Sequence, residues 1–214
     1  MDILLSFTEA RVLGALMEKE ILTPDIYPLS LNAVIAACNQ TTSRDPVVDY
    51  DEATVLDALE SLRGKKLCVT VQGGRVAKYQ QRLTLQLFLK PAEHAVLYLL
   101  LLRGPQTVGE IKARSGRLYE FADTAEIEAV LNRLAEERYP PRVVKLPRQH
   151  GTKESRYAHL LCGDVEAPER ELSPAERLSS STLRFWSMAM TPAVTLPSTA
   201  SISPSSMRKP RSFT

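Results

Sequence analysis

The sequence predicts a mainly helical α+β protein with small β hairpins, organised as two tandem winged helix-turn-helix domains. Three observations predict it: an internal repeat that aligns five consecutive elements, three amphipathic helical stretches followed by two short β stretches in each copy, and an abrupt change of composition after the second copy. The expected boundaries are 1–85 for the first domain, 86–165 for the second, and 166–214 for a Ser/Pro-rich tail.

The first helices align as Thr8-Glu9-Ala10-Arg11-Val12-Leu13 with Ala92-Glu93-His94-Ala95-Val96-Leu97. Ser6 or Thr8 is the start signal in one copy and Pro91 in the other, and apolar residues then recur at helical spacing. Second helices follow at Leu29-Ser30-Leu31-Asn32-Ala33-Val34 and Gln106-Thr107-Val108-Gly109-Glu110-Ile111, each opening at a hydroxyl cap. Third helices carry an i, i+3, i+4, i+7 stripe: Val55, Ala58, Leu59 and Leu62 in one, Ile127, Val130, Leu131 and Leu134 in the other. Asp51 and Asp123 are the expected N-caps. The period then shifts to strands. Leu67 to Val71 and Val76 to Gln81 flank Gly73-Gly74, a hairpin turn, and Val143 to Leu146 with Ser155 to Leu161 repeats the arrangement around a longer basic loop. Beyond Val165, Ser and Pro dominate and no period persists, so disorder is expected there, with a short helix over Ser173–Met190 as the alternative.

The net charge of +2 lies in the tail, leaving residues 1–165 with equal numbers of acidic and basic side chains. Any attraction to a polyanion must therefore come from local patches. Three cysteines without CxxC spacing fit a reducing compartment, and the N-terminus has no export-signal pattern. The longest apolar run, Ala95 to Leu102, is too short for a bilayer. The expectation is a soluble cytoplasmic protein with no membrane association.

Several strings carry a family resemblance: Tyr27-Pro28-Leu29-Ser30-Leu31-Asn32-Ala33, Ala37-Cys38-Asn39-Gln40, Ser43-Arg44-Asp45-Pro46-Val47, Leu118-Tyr119-Glu120-Phe121-Ala122-Asp123 and Glu154-Ser155-Arg156-Tyr157. Over about residues 6–165 the chain resembles the YceH-like family of uncharacterised bacterial proteins. The resemblance implies two winged-helix domains and supplies no mechanism. Family members usually end in a polar, heptad-patterned helix, and the Ser/Pro-rich tail stands in its place here.

For function, the charge pattern points two ways. The third helices, which in a helix-turn-helix enter the major groove, are acidic: Asp51, Glu52, Asp57 and Glu60 in one, Asp123, Glu126, Glu128, Glu136 and Glu137 in the other. Carboxylates beside phosphates are repulsive, which argues against ordinary recognition-helix readout. The wings are the reverse, with no acid from Ser61 to Ala92 or from Arg138 to Lys153. Candidate nucleic-acid contacts are therefore Lys65, Lys66, Arg75 and Lys78 in the first half and Lys145, Arg148, Lys153 and Arg156 in the second. Alternating cations also describe the solvated face of any hairpin. Arg44 is a further candidate, either for phosphate or for fixing its turn by pairing with Asp45 or Asp49. Tyr119 and Phe121 are expected in the second core, with Glu120 at its rim.

No pattern for catalysis, metal or cofactor emerges. His94 lacks a second histidine at metal-binding spacing, His150 and His159 fall in the second wing, and neither a phosphate loop nor a nucleophile elbow is present. The leading expectation is a non-enzyme that binds double-stranded DNA through basic wings. The rival is a protein-interaction scaffold whose acidic third helices face a basic partner. Homodimerisation is expected only by analogy with other winged-helix proteins.

Overall fold

The computed structural model describes residues 3–72, 74–149 and 151–163. Gly73, His150 and the expected tail, including the alternative helix at Ser173–Met190, lie outside the described residues.

Local chemistry starts each helix. Ser6 opens α1 (Phe7–Leu22) with a capping box: its Oγ accepts from Glu9 N, while its own N–H donates to Glu9 Oε2 at 2.6 Å. Ser30 caps α2 (Leu31–Cys38), and Asp51 caps α3 (Glu52–Gly64) by accepting from Thr54 N at 2.8 Å. After a short helix α4 (Leu83–Gln86), Pro91 occupies the first turn of α5 (Pro91–Arg103). Thr107 and Glu110 form the capping box of α6 (Val108–Ser115), and Asp123 caps α7 (Thr124–Asn132). The sequence reads the third helix of the second half as continuous through Leu134; the structure widens it into a π turn over Arg133–Glu137.

The strands are short and antiparallel. β1 (Leu29–Ser30), β2 (Cys68–Val71) and β3 (Lys78–Gln81) form a three-stranded sheet in the order β1-β3-β2, and β4 (Val143–Lys145) pairs with β5 (Tyr157–His159). The repeat extends to single residues. Leu29 pairs with Tyr79 in the first half, and Gln106 bridges Tyr157 in the second with two backbone hydrogen bonds of 3.0 and 2.7 Å. Thr70 faces Tyr79 across the first hairpin as Lys145 faces Tyr157 across the second.

The two halves share one hydrophobic cluster. Every residue of α1 from Glu9 to Glu18, and of α5 from Ala92 to Leu102, is buried. Such helices are covered on all sides, because each serves its own half and also meets the other. Along the α1–α5 seam Gly14 abuts Leu101 and Leu102, and three residues on, the Met17 carbonyl lies 3.2 Å from His94 Nε2. The seam therefore runs antiparallel. A Cβ on Gly14 would sit 3.0 Å from Leu101 Cβ and Leu102 Cγ, so glycine sets how closely the helices approach. Asp45 N also donates to Leu102 O at 2.9 Å, tying the α2–α3 loop to the end of α5.

Candidate nucleic-acid interface

Burial and pairing divide the nine candidate cations. Arg44 lies inside the protein, with no part of its side chain exposed. Its guanidinium clasps Glu18 through two bonds of 3.1 and 2.6 Å and also donates to the Ala37 and Ser43 carbonyls and to Gln40 Oε1. Every donor is occupied, so Arg44 offers nothing to a phosphate. It does hold its turn, but its carboxylate partner is Glu18 of α1 rather than Asp45 or Asp49.

Lys65 and Arg156 are held too. Lys65 Nζ donates to Glu9 Oε2 at 2.6 Å and to Leu4 O at 2.8 Å. Glu9 is buried, which works to raise its pKa, but the Lys65 ammonium and the Ser6 N–H outweigh burial and hold the carboxyl below its ordinary range. Arg156 is half-buried and bridges Pro105 O and Glu110. Lys66 is exposed at the end of α3, in the left-handed region at φ 61°. There Leu67 N returns to Leu62 O and Lys66 N to Arg63 O, a Schellman closure in which lysine takes the place usual for glycine.

Arg75 and Lys78 on the first hairpin, and Lys145, Arg148 and Lys153 on the second, are exposed and form no ion pair with a described residue. Lys145 Nζ sits 5.6 Å from the ring centroid of Tyr157, a cation–π contact that orients it. The two hairpins thus each present outward cations.

The exposed faces of the third helices are mainly acidic, with Arg63 exposed in the last turn of α3. Glu52, Asp57 and Glu60 point outward from α3, as do Glu128 from α7 and Glu136 and Glu137 beyond it. Glu126 turns inward, accepting from Tyr119 Oη and Ala122 N. Phe121 is buried edge-on to the half-buried Tyr119, with ring centroids 4.6 Å apart, and Glu120 is exposed.

Buried carboxylates are the feature that sequence reasoning passed over. Glu9 and Glu93 occupy the same place in the repeat. Glu93 accepts from Lys90 N at 2.8 Å and pairs with Arg138 at 2.8 Å, as Glu9 accepts from Ser6 N and pairs with Lys65. In each half one carboxylate caps the first helix and fastens the end of the third. The signal was in the alignment: an acid conserved between copies within an otherwise apolar stripe.

His94, Cys38 and Cys68 sit in packing positions. Burial pushes the Cys38 thiol up to about 12 and the Cys68 thiol up to about 11, away from nucleophilic behaviour. His94 is enclosed between Thr84 Oγ1 and the Met17 carbonyl, and burial lowers its pKa. Among the described residues no group of three or more His, Cys, Asp or Glu is placed to hold a metal ion, and no helix is long and apolar enough to cross a membrane.

A family model described as "Protein of unknown function, DUF480" matches residues 5–152. The UPF0502 protein of Pelobacter propionicus is 54% identical over 80% of this chain and 78% of its own length. That of Geobacter sulfurreducens is 51% identical over 81% and 80%, and that of Azoarcus sp. 53% over 80% and 75%.

Proposed function

The chain belongs to the DUF480 family of bacterial proteins, and we propose that it is a non-catalytic, cytoplasmic DNA-binding protein built from two winged-helix domains, residues 1–85 and 86–165, that grips the duplex backbone with its wings. The fold reading draws on the matching order of helix, bridge, helix, helix and hairpin in both halves.

One observation carries the DNA reading. Arg44, Lys65 and Arg156 are held by carboxylates and carbonyls and Lys66 is exposed just before β2, whereas Arg75, Lys78, Lys145, Arg148 and Lys153 all stand on the hairpins, exposed and without an ion pair to a described residue. The outward acids of α3 and α7 keep those helices from close approach to phosphates, so binding is backbone-directed and weakly selective for sequence.

Fluorescence anisotropy of a random-sequence duplex at varied salt tests this. Binding in roughly the micromolar range at low salt is expected, with affinity falling as salt rises. Arg75→Ala with Lys78→Ala should reduce the slope of log affinity against log salt by about 2. Absence of binding at low salt would sink the proposal.

A second reading is favoured by the exposed Glu52, Asp57 and Glu60 on α3. On it the protein is a scaffold, or one half of a homodimer, and meets a basic protein surface there. Charge reversal at these three positions would abolish capture of that partner and leave duplex binding intact or stronger.

A further inference from the structure

We propose that the cleft between α6, α7 and the β4–β5 hairpin is a phosphate seat, present in the second half and lost from the first. The inference deepens the wing reading and rests on it for its ligand class. The cleft encloses about 410 Å³, a volume suited to a phosphoryl group and its immediate substituent. Lys145, Arg148 and Lys153 line it, and none of the three forms an ion pair with a described residue. Lys145 is already oriented by the Tyr157 ring beneath it. Arg148 supplies the planar fork that matches two phosphate oxygens, and the lysines act as point charges around it.

The opposite wall is the first turn of α6. Val108 and Gly109 face the cleft, and their N–H groups, as the first two of the helix, have no intrahelical acceptor. A Cβ added at Gly109 would make ordinary contacts, with Glu154 Oε2 at 3.8 Å and Thr107 Oγ1 at 4.0 Å, so the bare backbone is reached once the Glu154 side chain swings away. Glu128 and Glu154 also line the cleft, leaving three cations against two carboxylates. The excess of positive charge is small, so geometry rather than bulk potential selects the ligand.

The repeat provides an internal control. In the first half Asn32 stands where Gly109 stands, and Thr70, opposite Tyr79, takes the place of Lys145 opposite Tyr157. One difference puts a side chain where the second half has bare backbone, and the other removes the oriented cation.

The shared chemistry is a phosphoryl group, whether it belongs to a nucleic-acid backbone or to a free phosphorylated small molecule. Full-length protein is titrated calorimetrically with pyrophosphate, with chloride at matched ionic strength as control, and with a short duplex by anisotropy. Three variants are compared: Arg148→Ala with Lys153→Ala, Gly109→Asn, and Arg75→Ala with Lys78→Ala. All substituted side chains are exposed, and circular dichroism checks that each variant keeps the fold.

The seat predicts pyrophosphate binding that weakens by roughly tenfold or more in the first two variants and is unchanged in the third. If duplex binding weakens in parallel in those two, the seat holds a backbone phosphate. If duplex binding is unaffected or absent in all proteins while pyrophosphate binds as predicted, the seat holds a free phosphorylated ligand, and the wing reading falls without it. Failure of the wild type to bind pyrophosphate overturns the seat. So does binding that survives both second-half variants. In either case duplex binding sensitive to Arg75 and Lys78 would still leave the first wing in place.

Discussion

The Arg44–Glu18 pair is buried beneath the loop that joins α2 to α3. Its value lies in being complete: removing one partner strands the other charge in a dry site. Arg44→Ala should cost about 3–5 kcal/mol, read as a lowered midpoint in urea. A double replacement by apolar residues of similar size should cost far less, because no charge is left behind. Lys66 offers the opposite sign. Its left-handed backbone suits glycine, so Lys66→Gly should stabilise by about 0.5–1 kcal/mol, seen as a raised Tm with helix content unchanged. His159 gives a pH dependence. Burial lowers its pKa to about 4, and its Nδ1 has no hydrogen-bond partner among the described residues. The folded protein therefore keeps this ring neutral while the unfolded chain protonates below its ordinary pKa. Stability is full above pH 6.5 and declines as pH falls toward 4. Tm measured across that window should drop, and His159→Gln should flatten the drop.

Among the elements, the α1–α5 seam is the most exacting. Gly14→Ala would gain about 1 kcal/mol of helix propensity, but the new Cβ meets Leu101 Cβ and Leu102 Cγ at 3.0 Å, atoms close to the backbone that cannot swing aside. The net effect should be a loss of about 1–2 kcal/mol, with a greater loss for Gly14→Val, both measured by urea denaturation. The starts of α1, α2, α3, α6 and α7 were legible in the sequence because a cap depends on residues three apart: Ser6, Ser30, Asp51, Thr107 and Asp123 all cap as their positions suggest, whereas the uncapped α4 was not foreseen. The strand pairs were legible for a similar reason, through alternation and turn residues. Partners across the fold were not. Nothing in local spacing joins Arg44 to Glu18, Lys65 to Glu9 or Arg138 to Glu93, so cations that looked available by composition turned out to be structural. The two-residue strand β1 was also missed, since two residues carry no period.

At the scale of the whole molecule, the shared core makes the two halves thermodynamically dependent. α1 and α5 are buried on every side through their middle turns, and either one exposed alone would put a row of leucines and valines into water. Urea unfolding followed by far-UV circular dichroism and by amide hydrogen exchange should therefore show one transition, with α1 and α5 protected to the same degree. Two resolved transitions would show that the seam contributes little. The candidate surface was partly legible at this scale: acid-free hairpins stood out in the sequence, but which of their cations remain available depended on pairing that only the folded chain sets. The antiparallel seam also has a consequence in time. Gly14 is synthesised 87 residues ahead of Leu101, a delay of roughly 4–17 s at ribosomal speed. Throughout that interval α1 lacks the helix that covers its second flank.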